Sequence, residues 1–231
     1  MVVSRLPEFM PPALQLKENE LWWGAHPVKL SPRQQYHSRL NIPPPATEVL
    51  PGILSRAREF LRHHAPPGSL VSLIESADGS PPRNALEQAL ARALRAAMGH
   101  LENGEWIPAV QCLRGRGAGL TPGGDDFIAG MLLALHLYPP QRSGVDGSLP
   151  ESILQAARSS HPLVNCFLKL AGAGRVAAPV QAWLQAVCWG NSGEIHHAGQ
   201  KLLKLGATSG ADLAFGWVTT LGILANRGVF T

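Results

Sequence analysis

Cysteine and charge are both scarce in this chain of 231 residues. Its three cysteines, Cys112, Cys166 and Cys188, are odd in number, far apart and never arranged as C-x-x-C, which excludes a disulfide framework and a zinc knuckle and makes a reducing cytoplasm the expected setting. Charged residues make up only 16% against 45% hydrophobic, too few for a disordered chain or a long solvated coiled coil. Long apolar runs are missing too. None approaches the ~20 residues that span a bilayer, and the opening MVVSRLPEFMPP has no apolar h-region, so neither a membrane segment nor a signal peptide is expected. The 20 Lys and Arg are scattered along the sequence and the formal charge is a modest +4, so nucleic acid is not an expected partner. A small anionic metabolite suits that balance better.

What is present is helical periodicity and glycine. Residues 13–30 alternate apolar and polar positions around Lys17-Glu18-Asn19, as two short strands joined by a tight connection would, and mark a small β region within about residues 1–45. Beyond Pro43-Pro44-Pro45, helical spacing runs through Ile53, Leu54, Ala57, Phe60 and Leu61 and ends at Pro66-Pro67-Gly68. The apolar run Leu70 to Ile74 reads as a further strand. A long Ala/Leu/Arg helix is expected over Asn84 to His100, and a short one over Trp106 to Leu113. Gln141 to Pro150 reads as a flexible surface connection. Further helices are expected near Glu151 to Ser159, Pro162 to Ala171, Pro179 to Trp189, Glu194 to Leu205 and Asp212 to Asn226. The fold class is therefore α+β: a small N-terminal β region and a mainly helical remainder. No linker is long enough to mark a second domain, so residues 1–231 read as one.

The stretch GRGAGLTPGGDDFIAGMLLALHL, Gly115 to Leu137, concentrates the chemistry. Six glycines lie between Gly115 and Gly130, so the backbone can take positive φ and present its N–H groups to a close neighbour. The helix from Phe127 to Leu137 is apolar on every face and so buried, and its positive end faces the loop, where it can hold an anion. A second copy follows. GLTPGGDD at Gly119 lies over GATSGADL at Gly206 without a gap, pairing Thr121 with Thr208, Gly123 with Gly210 and Asp125 with Asp212, so two related loop-helix units are expected. In this register only the first copy keeps a second carboxylate, Asp126, where the other has Leu213.

These two motifs resemble the bacterial AllH-like family, whose patterns run close to G-x-G-L-T-P-S-G-D-D-F-L-x-G and, later, G-x-T-S-G-x-D. The matching positions are Gly119, Leu120, Thr121, Pro122, Gly124, Asp125, Asp126, Phe127 and Gly130, then Gly206, Thr208, Ser209, Gly210 and Asp212; Gly123 stands where the family usually has serine. The resemblance implies a subunit acting beside larger partner subunits in oxamate carbamoyltransferase, in anaerobic allantoin degradation. That reaction moves a carbamoyl group from oxalurate to phosphate, giving carbamoyl phosphate and oxamate.

From the residues themselves, Asp126 is the preferred functional carboxylate and Asp125 its neighbour, able to cap the helix or share a magnesium ion, the one cofactor the pair would accept. No other cofactor is implied. Arg114, Arg116, Gly119, Thr121, Gly123, Gly124, Thr208, Ser209 and Gly210 are the candidate anion-binding residues. His196 and His197 are adjacent and point about 100° apart on a helix, which suits surface or packing roles over a metal pair. Trp183, Trp189 and Trp217 read as core or subunit contacts, and Cys112 as no nucleophile. Two other readings stand beside the transferase subunit: a non-catalytic assembly subunit whose glycines serve helix packing, and a stand-alone phosphate-dependent transferase or hydrolase.

Overall fold

A computed structural model describes residues 14–17, 20–23, 26–29, 36–75, 82, 84–139 and 146–226. The chain divides into two compact units, Met1–His37 and Ser38–Thr231. In the first, β1 (Leu14–Lys17), β2 (Glu20–Trp23) and β3 (His26–Lys29) form an antiparallel meander in the order β1-β2-β3. Lys17 pairs with Glu20, and the same alternating stretch supplies three strands where two were expected; the connection at residues 18 and 19 lies outside the described residues.

The second unit is helical: α1 (Leu50–His64), α2 (Leu70–Glu75), α3 (Ala85–Asn103), α4 (Trp106–Leu113), α5 (Gly123–Leu137), α6 (Leu149–Ala157), α7 (Pro162–Gly172), α8 (Ala178–Trp189), α9 (Ser192–Leu202) and α10 (Ser209–Asn226). Local chemistry sets many of these ends. Asn84 accepts the Glu87 N–H at 2.9 Å to open α3, and Gly104, at φ 80°, closes it. Asn191 and Glu194 form a reciprocal capping box on α9. Pro51, Pro150, Pro162 and Pro179 stand in first turns, where an N–H would be unpaired anyway. Of the connection expected from Gln141 to Pro150, the part up to Val145 lies outside the described residues, and Leu149 and Pro150 already belong to α6, where Pro150 is tolerated in the first turn.

Leu70–Glu75, expected as a strand, is a helix. A five-residue apolar run carries no period that separates the two, and here tertiary contact decides: Leu70, Val71 and Leu73 are all buried. Ser69 starts the turn by accepting the Leu73 N–H on its carbonyl at 3.1 Å.

The core is built on α5 and α10, the most extensive helix pair in the molecule. Both are apolar on every face and buried nearly throughout, as helices at the centre of a bundle must be. Glycine brings their backbones together: a Cβ on Gly130 would strike the Leu213 carbonyl, and one on Gly216 would strike the Phe127 carbonyl. Phe127 and Phe215 meet edge to face at 5.7 Å, and Trp183 from α8 meets Trp217 at 5.8 Å. Trp189 instead lies on the surface, 57% exposed, with its indole N–H donating to the Pro43 carbonyl at 3.2 Å.

Candidate functional site

Each central helix begins at a glycine loop that is tied to the end of the helix before it. The Gly124 N–H donates to the Arg116 carbonyl at 2.8 Å, the Arg116 N–H donates to Leu113 at 2.9 Å, and a Cβ on Gly124 would strike the Leu113 carbonyl at the end of α4. The later loop repeats the arrangement. The Gly210 N–H donates to the Leu205 carbonyl at 3.1 Å, the Leu205 N–H donates to Leu202 at 2.9 Å, and a Cβ on Gly210 would strike the Leu202 carbonyl at the end of α9.

This geometry corrects the ungapped register read from the sequence. Gly124 and Gly210 are each the second residue of their helix, so Asp126 and Asp212 are each the fourth, and Gly130 and Gly216 stand at the same later step. The first loop is also the longer, with eight positions from Arg116 to Gly124 against five from Leu205 to Gly210. By helical position Asp212 matches Asp126, not Asp125, and it is Asp125, level with Ala211, that has no acidic counterpart. The helix also starts at Gly123, ahead of the expected Phe127, which brings both aspartates into its first turn.

Three carboxylates lie buried here. Asp125 accepts the Gly115 N–H at 3.0 Å; burial raises its pKa, while that bond and the nearby charges of Arg114 and His161 oppose the rise. Asp212 accepts the Leu70 N–H at 2.6 Å, which ties α10 to the start of α2. Burial pushes it up to about 7 against the pull of the Leu70 N–H and the Thr208 side chain. Asp126 is only 1% exposed, and neither of its carboxyl oxygens has a hydrogen-bond partner among the described residues. Burial first, then the charges of Asp212 and Asp125, push it up to about 7; the dipoles of Ser209 and Thr121 oppose this without reaching bonding geometry. Those two hydroxyls bond each other, Thr121 Oγ1 to Ser209 Oγ at 3.2 Å, joining the two loops.

The remaining candidates separate. Gly119, Gly123, Gly124, Thr208, Ser209 and Gly210 line the two loops at the starts of α5 and α10. Gly123 sits against the second carboxylate, since a Cβ there would lie 2.7 Å from Asp212 Oδ2. The Arg114 guanidinium is turned to the end of α6, donating to the Ala156 and Arg158 carbonyls at 3.1 and 3.4 Å; Arg116 is exposed beside the loop. The amides of Asp125 and Asp126 donate to the Pro122 carbonyl, whereas those of residues 117–121 and 206–209 donate to no backbone carbonyl among the described residues. Gly117, Gly119 and Gly206 all take positive φ. Asp125 and Asp126 face different neighbours, and among the described residues no three His, Cys, Asp or Glu side chains gather to hold a metal. Asp212 and the Leu70 N–H are the neighbours of the site that sequence reasoning passed over; the signal was Ser209-x-x-Asp212, which reads equally well as a plain helix cap.

Residues 113–221 match the model of the family described as oxamate carbamoyltransferase subunit AllH. The match opens on the last residue of α4 and spans both glycine loops and most of α10, so the resemblance carried by the two motifs holds over this stretch. No curated protein and no solved structure matches the chain.

Proposed function

Taking the match of residues 113–221 to the AllH family as the premise, we propose that this chain is a subunit of a carbamoyltransferase-type enzyme of the oxamate, oxalurate and carbamoyl phosphate class, and binds the small substrate between its two glycine loops. The observation that carries the reading is Asp126, a carboxylate buried without a partner. Such a group costs roughly 1–3 kcal/mol or more unless something donates to it. A carbamoyl group is a pair of N–H donors on a planar carbonyl, which is what an unsatisfied carboxylate accepts. The negative end of the same molecule would be repelled by Asp126 and Asp212 and belongs on the opposite side, on the open amides of residues 117–121 and 206–209 and on Arg116.

Thr121 and Ser209 stand between those two ends as hydroxyls that can turn either way. Because Asp126 is buried, a ligand that reaches it must part the side chains around it, among them the hydrogen-bonded Thr121 and Ser209. Magnesium, if used, would find its oxygens on Asp126, Asp212, Thr121 and Ser209 and not on the Asp125–Asp126 doublet. The single AllH-like domain and the kinship of the two loop-helix units are part of the same proposal, since both copies place an aspartate at the fourth helical position.

The test is Asp126→Asn in the complex reconstituted with its larger partner subunits. Carbamoyl transfer is expected to fall by at least about a hundredfold, the scale set by losing the group that orients the substrate, while the melting temperature does not drop. Full activity of this variant would remove the site. The assembly reading is favoured by one feature, Leu120, 73% exposed at the loop tip. On that reading Leu120→Ser weakens capture of the partner subunits and Asp126→Asn leaves transfer intact.

A further inference from the structure

A second cluster of polar side chains lies on the helical unit away from the glycine loops, and the proposed transferase site makes no use of it. α1 and α9 enclose a cleft of about 580 Å³ lined by Arg56, Glu59, Phe60, His63, His64, Ser192, Ile195 and His196. Its floor is made by an aromatic stack. His64 and His196 meet edge to face with ring centroids 5.0 Å apart, and Phe60 touches both, at 4.9 Å from His64 and 6.0 Å from His196. Gly199 on α9 makes the stack possible, because a Cβ there would strike the Phe60 ring. The two imidazoles come one from each helix and both pack against the Phe60 ring.

Hydrogen-bond donors dominate the lining. Among the described residues Glu59 is its one carboxylate, beside the Arg56 guanidinium and three imidazoles, and Arg58 and Arg62 add positive charge from an adjoining groove of about 610 Å³ that shares Glu59 and His63. Among the described residues no ion pair takes up Arg56, Arg58 or Arg62. A helix end does not explain the site either, since the first amides of α9 already donate to Asn191, at 3.0 and 3.1 Å. Guanidinium and imidazole N–H groups converging from two helices make a fork suited to an oxyanion.

We propose that the cleft between α1 and α9 is a second anion site, which holds a small oxyanion of the phosphate or carboxylate class on Arg56, His63, His64 and His196. The site is distinct from the glycine loops. His196, the last α9 residue of the cleft lining, stands six residues before the helix ends at Leu202, about 9 Å along it, and the turn that leads to Ser209 follows.

The full chain is titrated separately with inorganic phosphate and with acetate while the histidine ring resonances are followed by NMR, each assigned by single His→Gln variants. The site predicts saturable shifts of His64 and His196 with at least one of the two anions, and which anion gives them distinguishes a phosphate from a carboxylate ligand. Arg56→Gln, an exposed position that does not threaten folding, is expected to weaken that binding about tenfold, the value of one charge-assisted hydrogen bond. Asp126→Asn is expected to leave it unchanged. Unmoved or linearly drifting resonances with both anions, or binding indifferent to Arg56→Gln, would overturn the proposal. So would equal weakening by Asp126→Asn, which would assign the anion to the glycine loops.

Discussion

Asp126 and Asp212 set a pH dependence that ordinary surface carboxylates do not. Each titrates near 7 in the fold, against 3.8 for an unperturbed aspartate, so between those values the native state holds protons that the unfolded chain has released. Their contribution to stability is fully present below about pH 4, is lost as pH rises toward 7, and is flat above it. For Asp126 alone the full swing is on the order of 4 kcal/mol. Asp126→Asn keeps the shape and removes the charge, so its melting temperature should exceed that of the wild type at pH 8 and converge with it only as pH falls to about 4, as thermal melts across that range will read. A lower melting temperature at pH 8 would mean that the carboxylate has an undetected partner. The doublet Asp125-Asp126 was legible in the sequence because two adjacent acids at the head of an apolar helix are unusual. Their division of labour was not, because the two glycine loops differ in length and no periodicity reports where each helix begins.

On the scale of helices, the glycines of the α5–α10 crossing are fixed by backbone contact and not by turn geometry. Gly130→Ala or Gly216→Ala drives a methyl group into a carbonyl of the facing helix and should cost about 3 kcal/mol or more, at the upper end of overpacking. Gly99, exposed in α3 with open space for 4 Å around the place a methyl group would take, offers the control: Gly99→Ala should stabilise by about 0.8 kcal/mol. Denaturant melts of the three variants give both signs in one experiment. The amphipathic helices α1 and α3 were readable because their apolar residues recur at helical spacing on one face, and α5 because its length and helix formers rule out a strand. α2 was misread for the converse reason, being too short for any period to appear and held in shape by Ser69 and by Asp212 from far along the chain.

Considering the whole chain, Ser38–Thr231 is a compact unit of its own, and it carries both glycine loops. A chain beginning at Ser38 should therefore keep its helical circular dichroism and a cooperative melt; loss of cooperativity would show that residues 1–37 complete the core. The two-unit organisation was partly visible in the alternating stretch near the N-terminus. The gathering of Arg56, His63, His64 and His196 into one cleft was not, because residues scattered in sequence reveal a common surface only once α1 and α9 are placed side by side.

The close approach of α5 and α10 has a bearing on time as well as on shape. Amides at the crossing, around Phe127 to Met131 and Leu213 to Trp217, are shielded on all sides and should exchange with deuterated solvent only through global unfolding, the slowest route open to a protein. Asp126 and Asp212 are borne on those same turns, whereas residues 117–121 and 206–209 sit where exchange is fast. One half of the candidate site thus keeps its place for as long as the molecule stays folded, and only the other half is free to respond on the timescale of a passing ligand.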